Sequence, residues 1–154
     1  MGSEEKFVAA AVERGLDVEV QTFPAGTRTA ADAAAAIGCD VAQIVKSLVF
    51  VVDGAPVVAL VGGADRLDEA RLASAAGGRE VQRADADLVR TTTGYAVGGV
   101  PPFGHAADLR TFVDDALLAH DVVWAAAGTP THVFPSTPAD LVAAAGAVVA
   151  HLRQ

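Results

Sequence analysis

The chain has 154 residues, 52% of them hydrophobic, and a formal net charge of −8 at neutral pH. This length suits one domain over residues 1–154, and no apolar stretch is long enough to cross a bilayer. The single cysteine, Cys39, excludes an internal disulfide framework. The acidic charge argues against broad, non-specific binding of nucleic acids, but not against a local contact with one end of an RNA. Because the N-terminus lacks the features of a signal peptide, we expect a cytoplasmic protein.

The first part of the chain predicts a helix, a strand and a second helix. Residues 3–14 have the apolar spacing of an amphipathic helix. Residues 18–23 alternate between apolar and polar, which predicts a half-buried strand that ends at residues 24–26. Thr29 and Asp32 have the spacing of a capping box for a helix over Ala30–Ile37.

The most apolar run of the chain, residues 44–52, contains one charged residue, Lys46. The run is too short to span a membrane and is rich in β-branched residues, so it predicts a buried strand. A buried ammonium group is costly unless it reaches a partner or a cleft. Two interpretations stay open from this strand alone. Either the Lys46 stem packs while its ammonium reaches solvent, or the ammonium serves a functional site.

A turn signal follows the apolar run. Asp53 and Gly54 predict a hairpin, in which residues 56–61 pair antiparallel with the Lys46 strand. Glycines and potential caps then predict three short elements: a helix over residues 67–76 capped by Asp65, a strand over residues 80–82 and a helix over residues 85–92.

Residues 94–105 contain four glycines and two prolines. Glycines let a ligand approach the backbone closely, and prolines hold a loop in one shape. Loops of this length are usually functional or disordered, and the aromatic residues in this one argue against disorder. The segment is therefore a candidate binding loop.

The last third predicts strands over residues 111–113, 122–126 and 131–134, a helix capped by Thr137, and an edge strand over residues 147–149. This order of strands, hairpins and helices predicts an α+β domain with a mixed, largely antiparallel sheet.

Several common functional motifs are missing from the sequence. There is no Walker loop, no spaced Cys/His zinc motif and no nucleophile-elbow serine, so we expect neither a metal nor a cofactor. His105 and His132 flank turns rich in glycine and proline and are candidates to face a pocket. Five arginines lie close together among acidic residues, which predicts a solvated, salt-bridged face: Arg66, Arg71, Arg79, Arg83 and Arg90.

Lys46 on its strand, taken with Gly94-Tyr95 and the segment from Gly98 to His105, resembles the YbaK-type aminoacyl-tRNA deacylases. These proteins are related to the editing domain of bacterial prolyl-tRNA synthetase. The resemblance extends in the family's order over four further segments: residues 29–34, 43–48, 126–130 and 137–141.

The resemblance implies a curved mixed sheet approaching a barrel, flanked by helices. It implies a free-standing enzyme that acts in trans and hydrolyses the ester of mischarged aminoacyl-tRNA, on substrates of the tRNA-Pro type. The implied partners are the aminoacyl 3′ end of mischarged tRNA and a prolyl-tRNA synthetase. No membrane and no cofactor are implied.

Lys46 matches the family's functional lysine and is the candidate catalytic residue. The candidate substrate-binding residues come from the loop and from the neighbouring motifs: Gly98, Gly99, Val100, Pro101, Pro102, Phe103, Gly104, His105, Thr29, Gly128, Thr129 and His132. Ester hydrolysis passes through an oxyanion that backbone amides can stabilise. Lys46 could hold the terminal phosphate or the substrate carbonyl. No general base is evident, and in the family a substrate group assists.

The sequence departs from familiar family members at Pro101, where serine is common, and at His105, where glutamine is common. The amino acid removed is therefore not predicted. Two alternatives stay open. One is a non-catalytic module that binds aminoacyl-tRNA ends or nucleotides, and the other is a hydrolase of another small ester or amide.

Overall fold

The computed structural model describes residues 2–23 and 29–154. Its helices are α1 (Ser3–Glu13), α2 (Ala30–Ile37), α3 (Glu69–Ala76), α4 (Ala86–Thr93) and α5 (Pro138–Ala145), with short 3-10 helices at Val41–Gln43 and Asp115–Ala119. Its strands are β1 (Gln21–Thr22), β2 (Val45–Val52), β3 (Ala55–Gly62), β4 (Val81–Arg83), β5 (Arg110–Asp114), β6 (Val123–Ala126), β7 (His132–Ser136) and β8 (Val148–Ala150). Within these ranges, no helix is both long and apolar enough to cross a membrane.

The strands form a five-stranded sheet of order β4-β2-β3-β5-β8 and a three-stranded sheet of order β1-β7-β6. In the larger sheet, β4, β2 and β3 are antiparallel, whereas β3, β5 and β8 are parallel. The smaller sheet is antiparallel throughout. The predicted α+β class and mixed sheet are confirmed. The sheets do not close into a barrel.

The hairpin of β2 and β3 forms the centre of the larger sheet. Asp53 (φ 49°) and Gly54 (φ 84°) adopt the left-handed conformation that a two-residue type I′ turn requires. Val52 consequently pairs with Ala55, and Lys46 pairs with Val61 at the far end of the hairpin. The predicted turn and the antiparallel pairing are confirmed.

Side chains on β2 alternate between two apolar clusters. Val45 and Val49 join a cluster that contains Phe7, Phe103 and Phe134. The opposite face of β2 joins a second cluster through Phe50 and Val52, with Leu72 and Phe112 among its other members. Lys46 lies on the same face of the strand as Phe50.

Two predicted elements have different bounds. Asp65 does not cap α3; Asp68 does, and its carboxylate accepts hydrogen bonds from the N–H groups of Ala70 and Arg71. The helix begins late because residues 66–68 run beside the C-terminal segment, where Asp68 N–H bonds Leu152 O at 2.7 Å. Tertiary pairing here overrides a local capping signal.

The first strand is shorter than the alternation at residues 18–23 predicts. Only Gln21 and Thr22 pair with β7, through Val133 and His132. The predicted turn at residues 24–26 lies outside the described residues.

Candidate functional site

A cavity of about 320 Å³ lies between the two sheets, at one edge of β2. This volume is at the low end of the range for small-molecule sites. Its walls come from the start of α2, from β2, from the first part of the glycine-proline loop, and from β6 and β7. The described lining residues are Thr29, Ala30, Ala33, Ile44, Val45, Lys46, Ser47, Leu48, Val97, Gly98, Val100, Trp124, Ala125, Ala126, Pro130 and Val133.

The cavity borders a stretch of β2 that has no strand paired to one side among the described residues. β4 pairs only with residues 50–52 of β2, and Ala84 N–H bonds the Val49 carbonyl at 3.2 Å beyond that ladder. Because backbone groups alternate in direction along an antiparallel strand, the Ser47 N–H and C=O point the same way as those of Val49. The Ser47 Oγ is also buried without a partner among the described residues. Ser47 thus supplies polar groups at an open strand edge.

Lys46 is half-buried, and its Nζ donates a hydrogen bond to the Asp65 carbonyl at 2.5 Å. Burial lowers the pKa of Lys46, the Asp65 carboxylate opposes that shift, and Arg66 and Arg83 add to it. Among the described residues that line the cavity, Lys46 is the only one with a charged side chain. The sequence-predicted cation is therefore placed in the cavity wall.

The first part of the loop, residues 97–100, lines the cavity through Val97, Gly98 and Val100. Gly98 has φ 90°, which disfavours any residue with a Cβ. The Gly99 N–H bonds the Ala96 carbonyl at 3.0 Å, whereas the N–H groups of Gly98 and Val100 have no acceptor within the described part of the chain. Both residues line the cavity, so two amides that lack an acceptor among the described residues lie beside it.

Close packing holds this part of the loop in place. A Cβ added at Gly99 would lie 2.8 Å from the Thr129 Cα, so the backbones of residues 99 and 129 approach as closely as glycine permits. At the start of the loop, Lys6 Nζ donates to the Gly94 carbonyl at 2.9 Å and lies over the Tyr95 ring. The chain's other lysine is therefore a structural contact.

The second part of the loop, residues 101–105, lies outside the cavity. Pro101, Pro102 and Phe103 are buried, and the Phe103 ring packs against Phe7 with centroids 5.0 Å apart. Gly104 packs against α1, where an added Cβ would lie 2.8 Å from the Ala10 Cβ.

His105 forms a hydrogen bond within this second part of the loop. Its Nε2 lies 2.7 Å from the Pro101 carbonyl, and because a carbonyl only accepts, Nε2 carries the proton. Burial lowers the pKa of His105, the Pro101 carbonyl opposes the shift, and Arg14 adds to it. A neutral, partly buried His105 that bonds its own loop fits a structural position better than a contact with substrate.

Of the remaining candidate residues, one lines the cavity and three pack elsewhere. Thr29 lines the cavity, and its Oγ1 caps α2 by accepting from Asp32 N–H at 3.0 Å. Thr129 Oγ1 contacts His132 Nδ1 within the turn between β6 and β7. Gly128 packs against α1, where an added Cβ would lie 2.6 Å from the Ser3 carbonyl. The structure brings Thr29 to the cavity but leaves Gly128, Thr129 and His132 behind its wall.

Several cavity residues did not stand out in the sequence. Trp124 provides an aromatic surface, and Ala33, Ala126 and Val133 keep the walls small and apolar. Ile44 pairs with Trp124 through an isolated parallel bridge. The alternation in the predicted strand over residues 122–126 shows that Trp124 and Ala126 share a face, but no local signal shows that this face meets β2.

The assembled site combines a cation, unpaired amides and apolar walls. The cation and the amides suit a small polar group of a ligand, and the walls suit an apolar group beside it. None of the described lining residues is a histidine, a carboxylate or a thiol. The described residues also contain no group of three or more His, Cys, Asp or Glu side chains that could hold a metal ion.

Comparison with known proteins agrees with this geometry. The sequence model of the aminoacyl-tRNA editing domain matches residues 24–144. The proline–tRNA ligase of Geobacter sp. (strain M21) is 38% identical over 109 residues, which are 70% of this chain and 19% of the ligase. The chain thus spans about a fifth of the length of that ligase. The uncharacterized protein YwhH of Bacillus subtilis (strain 168) is 29% identical over 80% of this chain and 78% of its own length.

One solved structure, of a protein proposed to be a trans-editing enzyme for prolyl tRNA synthetase, superposes with a TM-score of 0.95 at 43% identity. The alignment covers 100% of this chain and 98% of that one. Taken with the family match over most of the sequence, these similarities show that the chain belongs to the aminoacyl-tRNA editing domain family.

Proposed function

We propose that the chain is a trans-acting aminoacyl-tRNA deacylase, which hydrolyses the ester joining a wrongly attached amino acid to the 3′ end of a tRNA. The observation that carries the proposal is the cavity at the β2 edge, whose largely apolar lining includes Lys46 and the residues with unpaired amides, Gly98 and Val100. The proposal treats residues 1–154 as one editing domain in the cytoplasm.

The reaction needs stabilisation of one developing charge. Water adds to the ester carbonyl carbon, the carbonyl oxygen becomes an oxyanion, and the bond from that carbon to the ribose oxygen then breaks. The amino acid leaves as a carboxylate, and a proton passes to the ribose oxygen. Fixed donors such as the Gly98 and Val100 amides stabilise the oxyanion without reorganising. The Lys46 ammonium holds the terminal phosphate or polarises the carbonyl.

The attacking water also needs a proton acceptor. Since the described lining residues include no histidine, carboxylate or thiol, we expect a group of the substrate itself to take this role, such as its amino group or the neighbouring ribose hydroxyl. This makes the rate depend on how the substrate is positioned rather than on a titrating side chain of the enzyme.

The relatives support a substrate of the tRNA-Pro type, because several of them are proline–tRNA ligases and one structural neighbour is described as acting for prolyl tRNA synthetase. A prolyl-tRNA synthetase is accordingly the proposed source of the mischarged tRNA. Small apolar walls exclude large side chains by steric clash, whereas binding alone separates ligands that differ by one methylene by only about 1–3 kcal/mol.

The test is a panel of tRNA-Pro species that carry different amino acids, with correctly charged prolyl-tRNA as the matched control. We expect release of at least one non-cognate amino acid well above the spontaneous rate, with prolyl-tRNA left intact. Failure to hydrolyse any member of the panel would contradict the proposal.

A second candidate is a module that binds aminoacyl-tRNA ends without turnover, and the absence of a base among the described lining residues favours it. A non-hydrolysable aminoacyl-adenosine analogue separates the two possibilities. Tight binding of this analogue, together with no hydrolysis of the panel, would favour the binding module.

A further inference from the structure

A second groove, of about 400 Å³, adjoins the cavity on the other side of the Lys46 segment. Lys46 and Leu48 line both spaces. The groove also contains two arginines that are separated in sequence, Arg66 before α3 and Arg83 on β4. The two spaces therefore adjoin each other at Lys46 and Leu48.

The groove collects positive charge on a strongly acidic protein. Arg66 and Arg83 are exposed, and neither forms an ion pair within residues 2–23 and 29–154. By contrast, Arg71 pairs with Asp68 at 3.6 Å on the same stretch of sequence. Of the five arginines predicted to form a salt-bridged face, only Arg71 forms an ion pair among the described residues, and the prediction is wrong for Arg66, Arg79, Arg83 and Arg90.

The three cations lie close enough to influence one another. After burial, which is the largest cause, Arg66 and Arg83 both lower the pKa of Lys46. Glu69 is the only carboxylate side chain among the described residues that line the groove. Three like charges that share a groove with a single carboxylate side chain are unfavourable in the free protein. Such departures from local consistency are typical of ligand sites.

We propose that this groove binds the phosphodiester backbone of the single-stranded 3′ end of the RNA whose aminoacyl group enters the cavity. This inference rests on the proposed function. The terminal nucleotide that carries the ester must leave the cavity past Lys46, and the groove is the adjoining space with open cations. Guanidinium groups bind phosphate oxygens through paired donors, and Leu48 offers apolar surface beside them.

The first test measures binding without catalysis. The probe is an uncharged RNA hairpin with a single-stranded CCA 3′ end, titrated into wild type and the double variant Arg66→Ala/Arg83→Ala at several salt concentrations. The matched control is Arg79→Ala/Arg90→Ala, which removes the same charge from two exposed arginines outside the groove.

We expect the groove variant to bind the hairpin at least about ten-fold more weakly. We also expect its slope of log affinity against log salt to fall by about 1.4, the value for two single-strand phosphate contacts. The control should retain both affinity and slope. The inference would be overturned if the groove variant bound the hairpin with wild-type affinity, or if the control variant lost as much affinity as the groove variant. It would also be overturned if a hexaglutamate peptide competed for the groove as well as the RNA hairpin does.

The second test separates this inference from the proposed function. With mischarged tRNA, the groove variant should show a raised KM, whereas its hydrolysis of a minimal aminoacyl-adenosine ester should match wild type. Normal kinetics of the groove variant on both substrates would refute the groove while leaving the deacylase intact. If wild type hydrolyses neither substrate, the proposed function fails, and the hairpin titration still decides the groove.

Discussion

The two parts of the glycine-proline loop differ in what they contact. Residues 97–100 line the cavity and include two amides that are open within the described structure. Residues 101–105 pack against the rest of the protein, with Phe103 buried against Phe7 and the partly buried His105 against the Pro101 carbonyl. Glycines and prolines make both parts conspicuous in the sequence, but only the first part lines the cavity that we propose binds the substrate.

This difference explains how a loop can form a rigid site. Amides stabilise an oxyanion well only when they are held in place before the reaction. Phe103 is 2% exposed and belongs to the apolar cluster that includes Phe134, so the second part anchors the first. Substitutions in residues 101–105 should therefore change stability, and substitutions in residues 97–100 should change activity.

Replacing Phe103 with alanine should have the largest effect on stability. Removing a buried aromatic ring typically lowers the free energy of unfolding by about 3–5 kcal/mol, which urea denaturation would measure. Val97 is 62% exposed, so Val97→Ala in the first part is the control and should change stability by less than about 0.5 kcal/mol. Equal stability of the two variants would contradict the division of the loop.

Replacing Gly99 with alanine should displace the first part from the neighbouring turn, because the new Cβ would lie 2.8 Å from the Thr129 Cα. A displacement of about 1 Å at a reacting group can slow a reaction about a hundred-fold. We expect a loss of this order in single-turnover deacylation by the folded protein.

Gly98→Ala is the comparison for Gly99→Ala. Its Cβ would meet Pro130 at ordinary contact distances, 3.7 Å from Cγ and 4.0 Å from Cβ, although φ 90° imposes backbone strain of about 1–2 kcal/mol. Its loss of deacylation rate should be the smaller of the two. A larger loss for Gly98→Ala would show that backbone conformation, rather than close approach, controls the loop.

His105 should give the smallest effect, a pH dependence of stability. Its pKa is lowered in the folded protein, so the unfolded chain binds more protons between that lowered pKa and the ordinary value near 6.5. Stability should therefore fall as the pH decreases through this window. His105→Gln keeps a donor for the Pro101 carbonyl. Its Tm should decrease less than that of wild type between pH 7.5 and 5.

The control for His105 is His151→Gln, which changes an exposed histidine and should retain the wild-type pH dependence of Tm. If the Tm of His105→Gln and of wild type decreased equally on acidification, the pKa of His105 would not be lowered in the folded protein.

Local signals in the sequence predicted most of the elements. The Thr29 cap, the Asp53-Gly54 turn and the Thr137 cap each depend on residues within a few positions, and all three are present. Lys46 stood out because charge is rare in an apolar strand. The caps and the turn depend on short-range geometry, and the position of Lys46 depends on burial. Both can be inferred from the spacing and composition of neighbouring residues.

The features that the sequence did not predict depend on distant parts of the chain. Pairing of residues 66–68 with the C-terminal segment moved the α3 cap from Asp65 to Asp68. The bridge between Ile44 and Trp124 places the smaller sheet beside the open edge of β2. The meeting of Arg66 and Arg83 in one groove likewise follows from the sheet order, which spacing does not encode.

Lys46 is the residue on which the proposed reaction depends most, and Lys46→Met tests that role most directly. Burial lowers the pKa of Lys46, which means that the charged form is less favourable in the folded state than in the unfolded chain. Its removal should leave Tm equal to or above that of wild type. Single-turnover hydrolysis of a mischarged tRNA by this folded variant should be slower by about a hundred-fold or more. Hydrolysis at the wild-type rate would contradict a role for Lys46 in the reaction.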